Sequence, residues 1–432
     1  MRAQILNGCQ VTDDSSFEIQ RVKDFFLARQ PILNRDQKLV AYELLFRRAD
    51  VGLAAVTDDL AATASVIAHA SELGLETVIG ASRGFVNVDA AVLMSDFIEF
   101  LPCEKIVLEI LETVKITDEV VARVTELVKS GYTFALDDVI VDSPDLHRLL
   151  PLVEIIKIDI MGMTQNNLTK LSAQFKFANK KMLAEKVETL EQFNFCLGLG
   201  FDYFQGYYFA KPLVLTGKKL SPSQLAIVQL MNLVLADADT VEIERLIKHD
   251  ASLGLNLLRL VNTPAFLITQ RVESLGQALA LLGRRQLQRW LQILLYAESG
   301  KADGFTSPLL MLATTRGKLL ELIAQKTKPG NRTIADVAFT VGIMSLMDAL
   351  FNSPMEKILE QITVPDEVKE ALLYRSGTYG EMLRLAEYTE HIEEAGQMLP
   401  PALKRLQLTN DELYAMQVAA FEWSDSISRG VA

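Results

Sequence analysis

The sequence predicts an α/β barrel followed by an all-helical domain. From Phe25 to about Pro212, short apolar runs with polar ends alternate with longer segments of helical spacing, the pattern of parallel strands joined by crossover helices. About eight such units in a little under 200 residues favour a closed barrel over an open sheet. Beyond about residue 215 the strand-like runs stop, and every apolar pattern has the i, i+3, i+4, i+7 spacing of a helix.

In chain order, residues 1–23 are polar and irregular and are expected to form a tail. The strands fall at FFLARQPIL, LVAYELLF, GFVNVD, KIVLEIL, TFALDD, EIIKIDI, KMLAEKV and FDYFQGYYF. Only NRDQK separates the first two, a hairpin length, so the first strand is expected to run antiparallel to the second. The boundary is expected near residue 215 in AKPLVLTGKKLSPS, which divides the chain into a barrel at 24–214 and a helical domain at 215–432. Ser221 is the expected N-cap of the first helix there, with Pro222 in the first turn, where its missing N–H costs nothing. Further helices are expected over VEIERLIKHDASLGLNLLRLVN, SLGQALALLGRRQLQRWLQILLYAE, PLLMLATTRGKLLELIAQK, TIADVAFTVGIMSLMDALF and DEVKEALLY.

At 432 residues the chain exceeds one ordinary core, and half of its residues are apolar, as in a globular protein. A net charge of −12 argues against general nucleic-acid binding, which relies on clustered Lys and Arg. Three scattered cysteines, Cys9, Cys103 and Cys196, fit reduced thiols better than a disulfide framework or a zinc site. The first twenty residues lack the apolar core of a signal peptide, and no stretch is expected to span a bilayer. The expectation is a cytoplasmic protein with neither membrane nor nucleic-acid partners.

Every strand-like run after the first carries a polar group at or near its C-terminal end: Glu43, Asn87, Glu109, Asp137 with Asp138, Lys157 with Asp159, Glu185 and Gln205. In a barrel of parallel strands these ends open on one face, where catalytic groups gather. A single acid at a strand end is usually a cap or a solvated loop residue; a set of them at successive strand ends is different. So many carboxylates repel one another unless cations join them, and hard divalent ions take oxygen ligands of this kind. Two adjacent aspartates allow one carboxylate to bridge two metals while its neighbour binds the second, an arrangement suited to in-line displacement at phosphorus.

These residues resemble the EAL domain family, whose members hydrolyse the bacterial second messenger cyclic di-GMP to linear pGpG. The family's Glu-Ala-Leu stands here as Glu43-Leu44-Leu45 in YELLFR, and RQPI, VNV, LEILE, LDD, KID, AEKVET and FQGYYFAKP follow the family's order. The resemblance covers about residues 25–212. It implies a TIM-like (β/α)8 barrel with an antiparallel first strand, and Mg²⁺ or Mn²⁺, two ions, held by Glu43, Asn87, Glu109, Asp137 and Asp138. It further implies that Lys157 orients or polarises the attacking water, that Glu185 acts as general base or as an outer metal partner with Glu188 supporting it, and that Gln30, Arg47, Asp159 and Gln205 hold the dinucleotide. A guanidinium at Arg47 suits a phosphate, onto which it forks.

Three features depart from the family pattern. Asp138 is followed by Val139-Ile140-Val141-Asp142-Ser143-Pro144 where the family has a glycine-rich loop, so the loop cannot take the family's shape. That family loop organises the metal site and the barrel dimer, and the residue matching its anchor, Glu112, is retained. The segment after YELLFRR lacks the usual His-Pro and glycine pattern, and Lys186 stands where glycine is usual. The expected function is metal-dependent hydrolysis of cyclic di-GMP; the alternative is a degenerate barrel that binds the nucleotide or acts as a protein scaffold.

The second half resembles the HDOD domain, a helical relative of HD phosphohydrolases, through LLRLVNTPAF, SLGQALALLGRRQLQRWLQILL and GIMSLMDALF. His249-Asp250 is a literal His-Asp pair, but this half holds only His249 and His391, too few for a metal centre. The pair is expected inside one amphipathic helix. Arg284, Arg285 and Arg289 beside Trp290 fit an amphipathic helix with a buried Trp better than a basic contact surface. Pro264 and Phe266 are expected to end a helix and plug the core. A non-catalytic helical domain implies a protein partner, not identifiable from sequence, or a homodimer.

Overall fold

A computed structural model describes residues 25–48, 78–140, 143–206, 222–262, 271–297, 308–351 and 353–429. The expected tail, the domain boundary near 215, the Ser221 cap, Pro264 and Phe266 all lie outside these residues.

Eight strands close into a barrel in sequence order: β1 (Phe25–Asn34), β2 (Leu39–Arg48), β3 (Arg83–Val88), β4 (Ile106–Ile110), β5 (Thr133–Leu136), β6 (Ile155–Asp159), β7 (Lys181–Glu185) and β8 (Tyr203–Phe204). β1 runs antiparallel to both β2 and β8, as the short connection requires, and the other pairs are parallel. Helices α1 (Ala90–Leu93), α2 (Asp118–Lys129), α3 (Pro144–Leu149), α4 (Gln165–Phe177) and α5 (Leu190–Leu199) connect them. Asp89, Thr117, Ser143, Thr164 and Thr189 accept from the first-turn N–H groups of these helices, which explains where each begins.

Side chains alternate between the two faces of a strand, and this period of two builds the barrel's interior in layers. Ile32, Ala41, Phe85, Val107, Ala135, Ile155 and Leu183 form one apolar layer, with Tyr203 packed against it. Two residues further toward the open mouth, the same strand faces carry Gln30, Glu43, Asn87, Glu109, Asp137, Lys157, Glu185 and Gln205. Because β1 is reversed, its step runs from Ile32 back to Gln30. The apolar layer is thus the floor of a polar one.

The second half is helical throughout its described residues: α6 (Pro222–Leu235), α7 (Thr240–Lys248), α8 (Ala251–Val261), α9 (Leu275–Ala297), α10 (Pro308–Thr327), α11 (Arg332–Met344), α12 (Met347–Phe351), α13 (Met355–Leu359), α14 (Asp366–Tyr374), α15 (Gly377–Glu390), α16 (Ile392–Ala395), α17 (Leu399–Leu406) and α18 (Asn410–Arg429). Three expected helices are broken, one of them TIADVAFTVGIMSLMDALF, which divides into α11 and α12 at Ser345-Leu346. His249-Asp250 falls between α7 and α8, because Asp250 turns its carboxylate to the N–H of Leu253 and starts a new helix. α9 is interrupted at Gly283, whose backbone (φ 70°, ψ 162°) is not helical. Residues 332–351 are also long and apolar enough to cross a membrane, contrary to expectation, but two thirds of that window is buried in the bundle, as in a core helix.

The arginines near Trp290 form ion pairs with other helices. Arg289 pairs with Glu321 of α10 and Asp336 of α11 and stacks 4.4 Å from the Phe339 ring, while Arg285 reaches Asp336 at 2.6 Å. They staple helices together, and Trp290 is half-buried against the core. α10 and α11 cross closely at Gly317 and Gly342, where a β-carbon on Gly342 would lie 2.7 Å from the Arg316 backbone.

The two halves share the β1–β2 hairpin. Phe26, Ala28 and Leu45 belong to the helical core, while Met311 of α10 and Phe421 of α18 pack into the barrel's core. Gln417 donates to the Leu27 carbonyl, and the Tyr42 hydroxyl meets the Met311 sulfur at 3.8 Å.

Candidate active site

Lys157 is the centre of the polar layer. Its side chain is only 1% exposed, and its Nζ lies 3.2 Å from Glu43, 2.9 Å from Glu109, 2.8 Å from Asp137 and 2.9 Å from Glu185. Four strands therefore each deliver one carboxylate to one ammonium. Burial alone would strip the proton from Lys157, but the four carboxylates outweigh it and hold the amine well above the usual lysine range.

One ammonium does not neutralise four acids. Burial pushes Glu109 well above the carboxylate range, only partly opposed by Lys157. It likewise raises Glu185 to about 8. Glu43 is buried too, yet Lys157 and a hydrogen bond from Gln205 outweigh the burial and hold it below its ordinary value. The amide of Gln205 donates to Glu43 Oε2 at 2.5 Å and to Gln30 Oε1 at 2.7 Å, so Gln30, Gln205 and Glu43 form one chain of contacts.

Asp138 reaches the same mouth by a different route. It follows the end of β5 with φ 46°, a left-handed conformation that aspartate tolerates better than most residues. Oxygens of Asp137, Asp138 and Glu185 lie within 4.8 Å of one another. Burial first, and then Asp137, raises the Asp138 carboxyl above its ordinary value. Next along the chain, the Val139 N–H donates to the Lys157 carbonyl, Val139 is buried and Ile140 is exposed. A cavity of about 260 Å³ beside the two aspartates is lined by Glu112, Val139, Ile140 and Leu146 among others.

Divalent cations fit this donor set. The buried Asn87 Oδ1 and Glu185 Oε2 accept no hydrogen bond, and acids that burial forces toward their neutral forms would ionise against a metal. The residues able to hold such ions are Glu43, Asn87, Glu109, Asp137, Asp138 and Glu185.

Not every expected residue joins the ring. Asp159 sits one step beyond Lys157 on the same strand face and binds Lys186 at 2.6 Å. Glu188 is exposed in the turn before α5, where its backbone N–H donates to Gln192 as part of a capping arrangement. The backbone of Arg47 pairs with Phe26 across the hairpin, but its side chain lies outside the described residues. Lys186 entered the sequence reading only as a departure from a glycine; its closeness to Asp159 depends on its φ of 54°, which residue spacing does not reveal.

Comparison with known proteins agrees with this architecture. Residues 15–212 match the EAL domain family, and residues 220–364 match the HDOD domain family. The uncharacterized protein YuxH of Bacillus subtilis is 31% identical over 414 residues, covering 93% of this chain and 98% of that protein. The protein named cyclic di-GMP phosphodiesterase CdgJ of Vibrio cholerae is 34% identical over 411 residues, covering 94% and 93%. The chain belongs to this family of proteins in which an EAL domain is followed by an HDOD domain. Among solved structures, a standalone EAL protein of Vibrio cholerae O395 in its c-di-GMP-bound form is 27% identical with a TM-score of 0.36, covering 44% of this chain and 92% of that one. A manganese/cy-diGMP complex of Klebsiella pneumoniae BlrP1 is 23% identical with a TM-score of 0.36, covering 43% and 55%.

Proposed function

We propose that the chain is a metal-dependent phosphodiesterase that opens cyclic di-GMP to linear pGpG. The observation that carries this reading is the ring of Glu43, Glu109, Asp137 and Glu185 closed on Lys157 at the barrel mouth. The 34% identity to a protein named as a cyclic di-GMP phosphodiesterase supports it. Glu43, Asn87, Glu109, Asp137 and Asp138 would hold Mg²⁺ or Mn²⁺, two ions in the family pattern. When bound, such ions polarise phosphoryl oxygens and acidify a water for attack.

The chain's own groups do the rest. Glu185 accepts the proton of the attacking water, and Lys157, 2.9 Å away, fixes that carboxylate in place. The amides of Gln30 and Gln205 and the guanidinium of Arg47 hold the dinucleotide, with Asp159 at the rim and Glu188 in support. The barrel is assigned to residues 24–214 and the helical domain to 215–432. The helical domain, joined to the barrel through the β1–β2 hairpin, acts as a regulatory and docking module for a protein partner or a second copy of the chain. The whole acts in the cytoplasm.

A second reading rests on the segment after Asp138: with Val139 buried and bonded to the Lys157 carbonyl, a glycine-free loop borders the metal ligands, as a receptor that no longer turns over could tolerate. Purified protein with cyclic di-GMP and Mg²⁺ or Mn²⁺, beside Glu43→Ala, separates the two. Linear product that vanishes in the variant is the expected result. Binding without product would make the barrel a receptor, and neither would overturn both readings.

A further inference from the structure

Lys186 follows Glu185 directly, yet its side chain returns to the mouth. The chain turns there with φ 54°, a conformation open to glycine and costly to a residue with a β-carbon. Local strain of this kind persists where something holds it in place. Here the ammonium Nζ lies 2.6 Å from Asp159 Oδ2. An ammonium is cationic at neutral pH, and Asp159 holds this one at the rim. Lys186 thus stands on the rim beside the group of Asp137, Asp138 and Glu185, whose oxygens fall within 4.8 Å of each other and whose buried Glu185 Oε2 accepts no hydrogen bond. On the barrel's inner side the same group is already faced by Lys157.

We propose that Lys186 is a tethered cation that occupies the charge-balancing place of a second divalent ion, so that the mouth binds one divalent ion tightly and a second only weakly. A second ion held by Asp137, Asp138 and Glu185 would meet the positive charge tethered beside it at Asp159. The side chain of Lys186 is 53% exposed and can swing aside, so the second ion is weakened, not forbidden. This inference rests on the mouth being a metal centre and concerns how many ions it takes.

The test is the stoichiometry of Mn²⁺ binding to the full-length protein without nucleotide, followed by calorimetric titration and by the electron paramagnetic resonance of the bound ion. Wild type is expected to take one Mn²⁺ with a mononuclear spectrum. Lys186→Gly, which also relieves the backbone strain, is expected to take two with exchange-coupled signals, and Lys186→Met to do the same at unchanged backbone geometry. Lys186→Arg should remain at one. Two tight ions in wild type, or one ion in both the Gly and Met variants, would overturn the inference and leave the metal centre standing. No Mn²⁺ bound to wild type would overturn the metal centre along with it.

Discussion

Arg29 and Asp425, 396 residues apart, form a two-pronged ion pair, with Nη1 3.2 Å from Oδ2 and Nη2 3.0 Å from Oδ1. The guanidinium also donates to the Val78 carbonyl and is sandwiched between the rings of Tyr42 and Phe421, 4.3 and 4.0 Å from its carbon. The pair joins the barrel's first strand to the last helix. Arg29 immediately precedes Gln30, and strand alternation sends the first toward the helical domain and the second into the mouth. Removing one partner of such a buried pair costs about 3–5 kcal/mol. Asp425→Ala should lower stability by that order in denaturant titration and, by loosening Gln30, raise the KM for cyclic di-GMP more than it lowers kcat. An unchanged KM in folded variant protein would show that the interface does not reach the site.

Lys157 is the counter-ion of the ring when no metal is present. Lys157→Met should therefore cost on the order of 3–5 kcal/mol in EDTA, because three buried carboxylates and the half-buried Asp137 lose their shared partner. Mn²⁺ should recover a larger part of the loss in the variant than it adds to wild type. Thermal melts with and without the ion compare the two increments, and equal increments would count against the ring as a metal site.

Gln205 bridges Gln30 and Glu43 with one buried amide nitrogen. Gln205→Leu leaves a Glu43 oxygen without that donor, at a cost of about 1–3 kcal/mol. Binding of cyclic di-GMP should weaken with it. Calorimetric titration of the nucleotide against wild type and variant reads the effect, and an unaltered Kd would remove Gln205 from the binding set.

In the helical half the vulnerable point is the crossing of α10 and α11. Gly342→Ala forces a β-carbon against the Arg316 backbone, so the two helices must shift apart. The overpacking cost is about 1–3 kcal/mol. The urea midpoint should fall with little change in slope. A midpoint equal to wild type would mean that the helices separate freely.

The barrel was legible because its logic is periodic. Ala41 then Glu43, Phe85 then Asn87, Val107 then Glu109, Ala135 then Asp137, Ile155 then Lys157 and Leu183 then Glu185 repeat one step of two residues, from apolar floor to polar rim. Spacing alone carries that information. It does not carry the approach of Lys186, or the turn by which Asp138 joins Asp137, since both depend on positive φ just past a strand end. Nor does it show the breaks at Gly283 and at His249-Asp250, since apolar spacing continues on both sides of each. The pairing of Arg285 and Arg289 was equally hidden, because their acidic partners, Glu321 and Asp336, come from other helices.

The hairpin formed by β1 and β2 belongs to two cores at once, with Phe26, Ala28 and Leu45 packed among the helices while Leu27, Tyr42 and Leu44 pack in the barrel. Such a strand pair cannot leave one body without tearing the other. Heating the intact chain should then give one calorimetric transition and not two, and a barrel cut free of its helices would carry a bare greasy wedge on its outer face, an invitation to aggregate.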